Sequence, residues 1–121
     1  MKGIEYNMSL SEFTKKLIET KLTEYCERRI PIDIRNQVNL TFKIIRDKIT
    51  LIETRPYFKD PSIWTENPVA QFRLDNETKK WTLYCMDRNS RWQLYDLIKP
   101  SADFDDMLKA LDNDKTGIFW G

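Results

Sequence analysis

The chain has 121 residues, 40% hydrophobic and 32% charged, with 20 Lys and Arg against 19 Asp and Glu. That length buries about two-thirds of the unfolded surface, enough for one core, and a net charge of +1 supplies no global field toward DNA or a membrane. With no histidine and two cysteines, Ser-His-Asp and Cys-His nucleophiles and His-ligated or all-cysteine zinc sites are excluded, so an enzyme here would work with carboxylates, Arg, Lys, Tyr or a hard metal ion.

Residues 1–8 read as a flexible N-terminus and residues 9–121 as a single α+β domain. MKGIEYNMSL lacks an apolar run long enough for a signal peptide, and no later stretch is apolar enough to span a membrane. Cys26 and Cys85 sit in apolar patterns, where a thiol acts as a small hydrophobe. A reducing, cytoplasmic setting is expected.

Residues 9–28 form an amphipathic helix, capped by Ser9 or Ser11, with Leu10, Phe13, Leu17, Ile18, Leu22, Tyr25 and Cys26 along one stripe. Pro31 stops it, because the residue before proline leaves the helical region. Val38, Leu40, Phe42 and Ile44 then alternate as a strand, Arg46-Asp47 turns, and KITLIETR returns. Pairing about that turn sets Phe42 opposite Leu51, Leu40 opposite Glu53 and Val38 opposite Arg55. An acid and a base thus join the apolar face, either as an ion pair that holds the sheet's end or as the floor of a site.

PYFKDPSIWTENP (56–68) reads as a proline-rich connection, a packed loop or a flap, because it is long for a compact domain. VAQFRLD (69–75) is a third strand, and KWTLYCMDRNSRWQLYDL a hairpin with Asn89-Ser90 at its tip. That turn puts Tyr84 across from Tyr95, with Trp81, Leu83, Cys85, Trp92 and Leu94 on the other face. ADFDDMLKALD (102–112) is a short helix with Phe104, Met107, Leu108 and Leu111 inward, and TGIFWG a docking apolar tail. The fold expected is a two-layer α+β domain: N-terminal helix, five-stranded antiparallel meander, short C-terminal helix, both helices on one sheet face. The open face would be polar, mildly basic and tyrosine-bearing.

Several motifs together resemble a family. They are RRIPIDIR (28–35), E-x-R-P (Glu53 to Pro56), Trp64, NPVAQFR (67–73), W-x-L-Y (81–84), Arg88, RW-x-L-Y (91–95) and the closing GIFWG. The chain resembles a bacterial family catalogued as a domain of unknown function, DUF 3024, over most of its length. Cys85 departs from the aromatic expected there. The resemblance implies a domain type and supplies no catalytic residues.

The residues themselves suggest a binding domain for an anionic partner, nucleic acid or a phosphate-bearing ligand, with no cofactor. In its cleft Arg55 and Arg35 grip the anion, Glu53 orients it, and Trp64 closes the loop over it. Arg73, Tyr84, Arg88 and Tyr95 are secondary candidates, the tyrosines as stacking platforms on the open face. That face is also a candidate homodimer interface. The alternative is a small nuclease using Glu53 and nearby arginines. It would be either metal-dependent, with Asp33 before Glu53-x-Arg55 but Arg where Lys is expected, or RelE-like. Asp112-Asn-Asp114-Lys-Thr116-Gly117 imitates half an EF-hand loop, but the bidentate Glu is missing, so a helix-ending turn is expected.

Overall fold

The computed structural model describes residues 10–121. The N-terminus 1–8 and the capping role considered for Ser9 lie outside the described residues. Helix α1 (Glu12–Arg29) starts at Ser11, whose backbone is extended and whose Oγ accepts from the Thr14 N–H at 3.1 Å. Ile18, Leu22, Tyr25 and Cys26 are its buried residues. Phe13 and Leu17, expected on the same stripe, are exposed, so the face that meets the core begins at Ile18. Past Ile30 the chain makes one 3-10 turn (Ile32–Ile34) and enters the sheet.

Five antiparallel strands follow in chain order: β1 (Asn39–Ile45), β2 (Lys48–Tyr57), β3 (Asp60–Asp75), β4 (Lys80–Met86) and β5 (Trp92–Leu94). The β1–β2 register is the expected one, with Phe42 facing Leu51 and Leu40 facing Glu53. Helix α2 (Phe104–Asn113) is capped by Asp103, which accepts from the Asp105 N–H at 2.9 Å. It buries Phe104, Met107, Leu108 and Leu111 as its spacing predicts. Residues of both helices share one core with Leu40, Ile49, Leu51, Phe72 and Leu83. This is the helix–meander–helix α+β fold. No helix among the described residues is long and apolar enough to cross a membrane.

Two local features differ from the sequence expectation. Segment 56–68 is neither a loop nor a flap. It extends β2 and opens β3, pairing Arg55 with Thr65 and Pro56 with Trp64, and turns over at Phe58-Lys59. Before Ala70 no β4 partner lies alongside, so this part of β3 is an edge, where proline's missing N–H is tolerated. The result is a two-stranded arm whose 60–68 side is exposed throughout.

The second difference is the β4–β5 register. Asp87 accepts from the backbone N–H groups of Asn89 (2.8 Å) and Arg91 (2.9 Å), and Ser90 takes a φ of 61°. This wider turn sets Tyr84 opposite Leu94 and Met86 opposite Trp92, one residue from the tight-turn register. A one-residue slip exchanges the faces. Tyr95 therefore enters the core and packs on Phe119 at 4.9 Å, while Trp92 and Leu94 move to the open face with Tyr84.

Candidate functional site

The last turn of α1 brings Arg28 and Arg29 to the end of the sheet where β2 carries Glu53 and Arg55. With Ile30, Val38 and Trp120 these residues line a cleft of about 480 Å³. Glu53 and Arg55 are two apart on a strand, so they project from one side. The Arg55 Nε donates to the Glu53 carboxylate at 2.9 Å. This hydrogen bond is the main cause of an Arg55 pKa above its ordinary value. It occupies only the Nε edge; among the described residues no hydrogen bond engages the terminal nitrogens of the fork. The Arg55 side chain is 60% exposed and that of Glu53 21%, so the pair faces water and contributes about 0–1 kcal/mol to the fold.

Asp112, in the last turn of α2, organises the opposite wall. Its Oδ1 accepts from the Tyr25 hydroxyl at 2.8 Å and from Arg29 Nη1 at 3.3 Å, while Arg28 Nη1 lies 3.5 Å from Oδ2. Burial first, then this hydrogen bond, pushes the Tyr25 phenol well above its usual range. The Arg29 guanidinium lies over the Trp120 ring, 3.8 Å from its centroid, a cation–π stack. Trp120 is held from two sides. Its Nε1–H donates to the Leu111 carbonyl (3.1 Å), and its backbone N–H donates to Asp114 (2.9 Å), which also accepts from Phe119 (3.0 Å). Asp114 itself is the left-handed C-cap of α2, φ 41°. The two acids that imitated a calcium loop thus place arginines and a tryptophan. Among the described residues, no group of three His, Cys, Asp or Glu stands together to hold a metal ion.

The other candidate residues fall elsewhere. Arg35 donates to the carbonyls of Ile30 (3.0 Å) and Glu27 (3.2 Å), closing the C-terminal end of α1, and lines a separate recess with Thr23 and Asn39. Trp64 faces Pro56 in the arm; the β2–β3 register puts it on the open side, away from Arg55, so it does not roof the cleft. Arg73 lies over the Tyr84 ring at 3.8 Å and donates to Gln71 at 2.7 Å on the open face. Arg88 is exposed in the β4–β5 turn, and Tyr95 is buried in the core. Of the eight, only Glu53 and Arg55 meet in the cleft. Arg28, Arg29 and Trp120 were the members that strand spacing could not show. Their signals were a double arginine at a helix end and an aromatic in the tail.

The family model described as Domain of unknown function (DUF3024) matches residues 10–121. The chain belongs to this family. No curated protein and no solved structure matches it. In this DUF3024 domain, three of the segments that carry the resemblance converge on the cleft: 28–35 through Arg28 and Arg29, 53–56 through Glu53 and Arg55, and 117–121 through Trp120.

Proposed function

We propose that this DUF3024 domain binds an anionic, phosphate-bearing ligand in the arginine cleft. The observation that carries the reading is the meeting of three guanidinium groups, from α1 and β2, around one recess walled by Trp120. A guanidinium fork matches two phosphate oxygens at once, and its charge persists at any physiological pH. Arg55 presents its terminal nitrogens while Glu53 fixes its orientation through Nε. Asp112 and the Trp120 ring hold Arg29 in place, so little side-chain order remains to be imposed on binding.

Titration calorimetry with inorganic phosphate, pyrophosphate and AMP at low salt tests this. Binding is expected to weaken as salt rises, and Arg55→Met to lower affinity about tenfold or more, in line with a lost charge-assisted contact. Absence of binding at millimolar ligand would sink the proposal. Incubating labelled RNA and DNA with and without Mg²⁺ separates this reading from the nuclease alternative. Retention without cleavage supports binding, whereas Mg²⁺-dependent cleavage lost in Glu53→Gln supports the nuclease.

A second reading concerns the opposite side of the molecule. Tyr84, Met86, Trp92 and Leu94 share the open sheet face, and Leu94 is 53% exposed. Aromatics and Met are the residues enriched where protein surfaces meet, and this reading assigns the face to contact with a second copy.

A further inference from the structure

Resting on the phosphate reading of the arginine cleft, we propose that the ligand is a single-stranded nucleic acid. Its chain continues from the cleft into a lysine-lined groove on the other flank of the α2 C-terminus. This groove, of about 460 Å³, lies between the segment after β5 and α2, and its lining includes Tyr95, Leu97, Lys99, Lys109 and Lys115. The C-terminal end of α2 contributes to both recesses. Asp112 binds the arginines of one, and Asn113, the next residue, lines the other. Between them runs the tail, pinned by Asp114 and by Phe119 against Tyr95.

Charge favours a polyanion over an isolated small one. Arg28, Arg29 and Arg55 face Glu53 and Asp112 in the cleft. In the groove Lys99, Lys109 and Lys115 face Asp106, whose carboxylate already accepts from Ser101 Oγ at 2.6 Å. With Asp114, which holds the tail between the two recesses, six cations meet four carboxylates, an excess of two positive charges on one flank of a chain whose total is +1. Concentrated charge of this kind is the electrostatic footprint of a phosphodiester chain. Single strands also need surfaces on which unpaired bases stack or rest. The Trp120–Arg29 stack borders the cleft, and Leu97, half exposed, borders the groove. Both recesses are concave, which suits splayed bases better than the rigid rod of a duplex.

The test compares AMP by calorimetry with labelled ten-nucleotide oligouridylate and oligothymidylate by fluorescence anisotropy. The proteins are wild type, Arg55→Met, and a groove variant combining Lys99→Gln, Lys109→Gln and Lys115→Gln. The oligonucleotide is expected to bind wild type at least tenfold more tightly than AMP. The groove variant should lose about tenfold for the oligonucleotide and none for AMP, and its salt slope should flatten by about 0.7 per phosphate contact removed. Arg55→Met should weaken both ligands. A groove variant that binds the oligonucleotide like wild type, while AMP still binds, overturns the track and leaves the phosphate reading standing. Failure of wild type to bind either ligand overturns both. Displacement of the oligonucleotide by polyglutamate at matched charge overturns the assignment to nucleic acid. If the triple variant melts below wild type, Lys109→Gln alone, exposed on α2, carries the same comparison.

Discussion

Glu53 and Cys26 show what single side chains contribute to this domain. The Glu53–Arg55 bond is short, yet both partners reach water, and an ion pair so placed changes stability little. Glu53→Gln is therefore expected to shift the melting temperature by no more than about 4 °C, the equivalent of about 1 kcal/mol in a domain this size. A fall beyond about 8 °C would make the pair a strut of the sheet and remove the reason to place it in a site. Cys26 acts in the opposite way. Burial, with Glu27 adding, pushes its thiol from 9.0 up to about 11. The native protein thus holds this proton more tightly than the unfolded chain. The stabilisation is complete below pH 9 and is lost as pH rises from 9 toward 11. Urea titrations across that window should show stability falling, with a shallower fall in Cys26→Ala. An unchanged slope in the variant would assign the effect to other groups, of which Tyr25, raised by burial, is the nearest in the helix.

At the scale of elements, the arm of β2 and β3 is the part least supported by packing. A lone two-stranded ribbon is marginal in water, and this one carries Phe58 at 82% and Ile63 at 52% exposure. The second half of β3, from Ala70, lies between β2 and β4, and the strand is buried from Val69 to Phe72. Hydrogen exchange should separate the two halves, with amides of 60–68 exchanging faster by about tenfold or more than those of 70–74. Uniform protection along β3 would mean that something covers the arm in solution. The arm also shows why residues 56–68 mislead when read locally. Pro56, Pro61 and Pro68 are strand-breaking signals in a central strand and harmless ones at an edge, and edge position is a property of the sheet. The β4–β5 turn teaches the same lesson: one carboxylate, Asp87, adds a residue to the turn and thereby exchanges Tyr95 for Trp92 and Leu94 on the open face.

The whole molecule presents two unlike surfaces, a charged flank around α2 and an open sheet face with exposed aromatic and apolar side chains. If the open face meets a second copy, sedimentation should show a mass that grows with protein concentration, and Leu94→Lys should hold the protein at one chain. A single-chain mass for wild type at about 100 μM would remove this reading, since stable interfaces of ordinary size bind at micromolar levels or tighter. The charged flank predicts the opposite sensitivity, because its binding weakens with salt whereas an apolar contact does not.

Periodicity and the Arg46-Asp47 turn determined the helices, the presence of five antiparallel strands and the β1–β2 register, because alternation and three-to-four spacing are local consequences of backbone geometry. It also put Glu53 and Arg55 side by side, since strand neighbours two apart need no further information. Only the tertiary structure decided the rest of the cleft. Arg28, Arg29 and Trp120 come from opposite ends of the chain and are brought together by Asp112 and Asp114 at the end of α2. Arg35 was assigned to the same place by sequence, but the unpaired carbonyls at the end of α1 were nearer and took its guanidinium. Which polar group meets which depends on where helices stop and how a turn counts its residues, and neither is written in the hydrophobic pattern that builds the sheet.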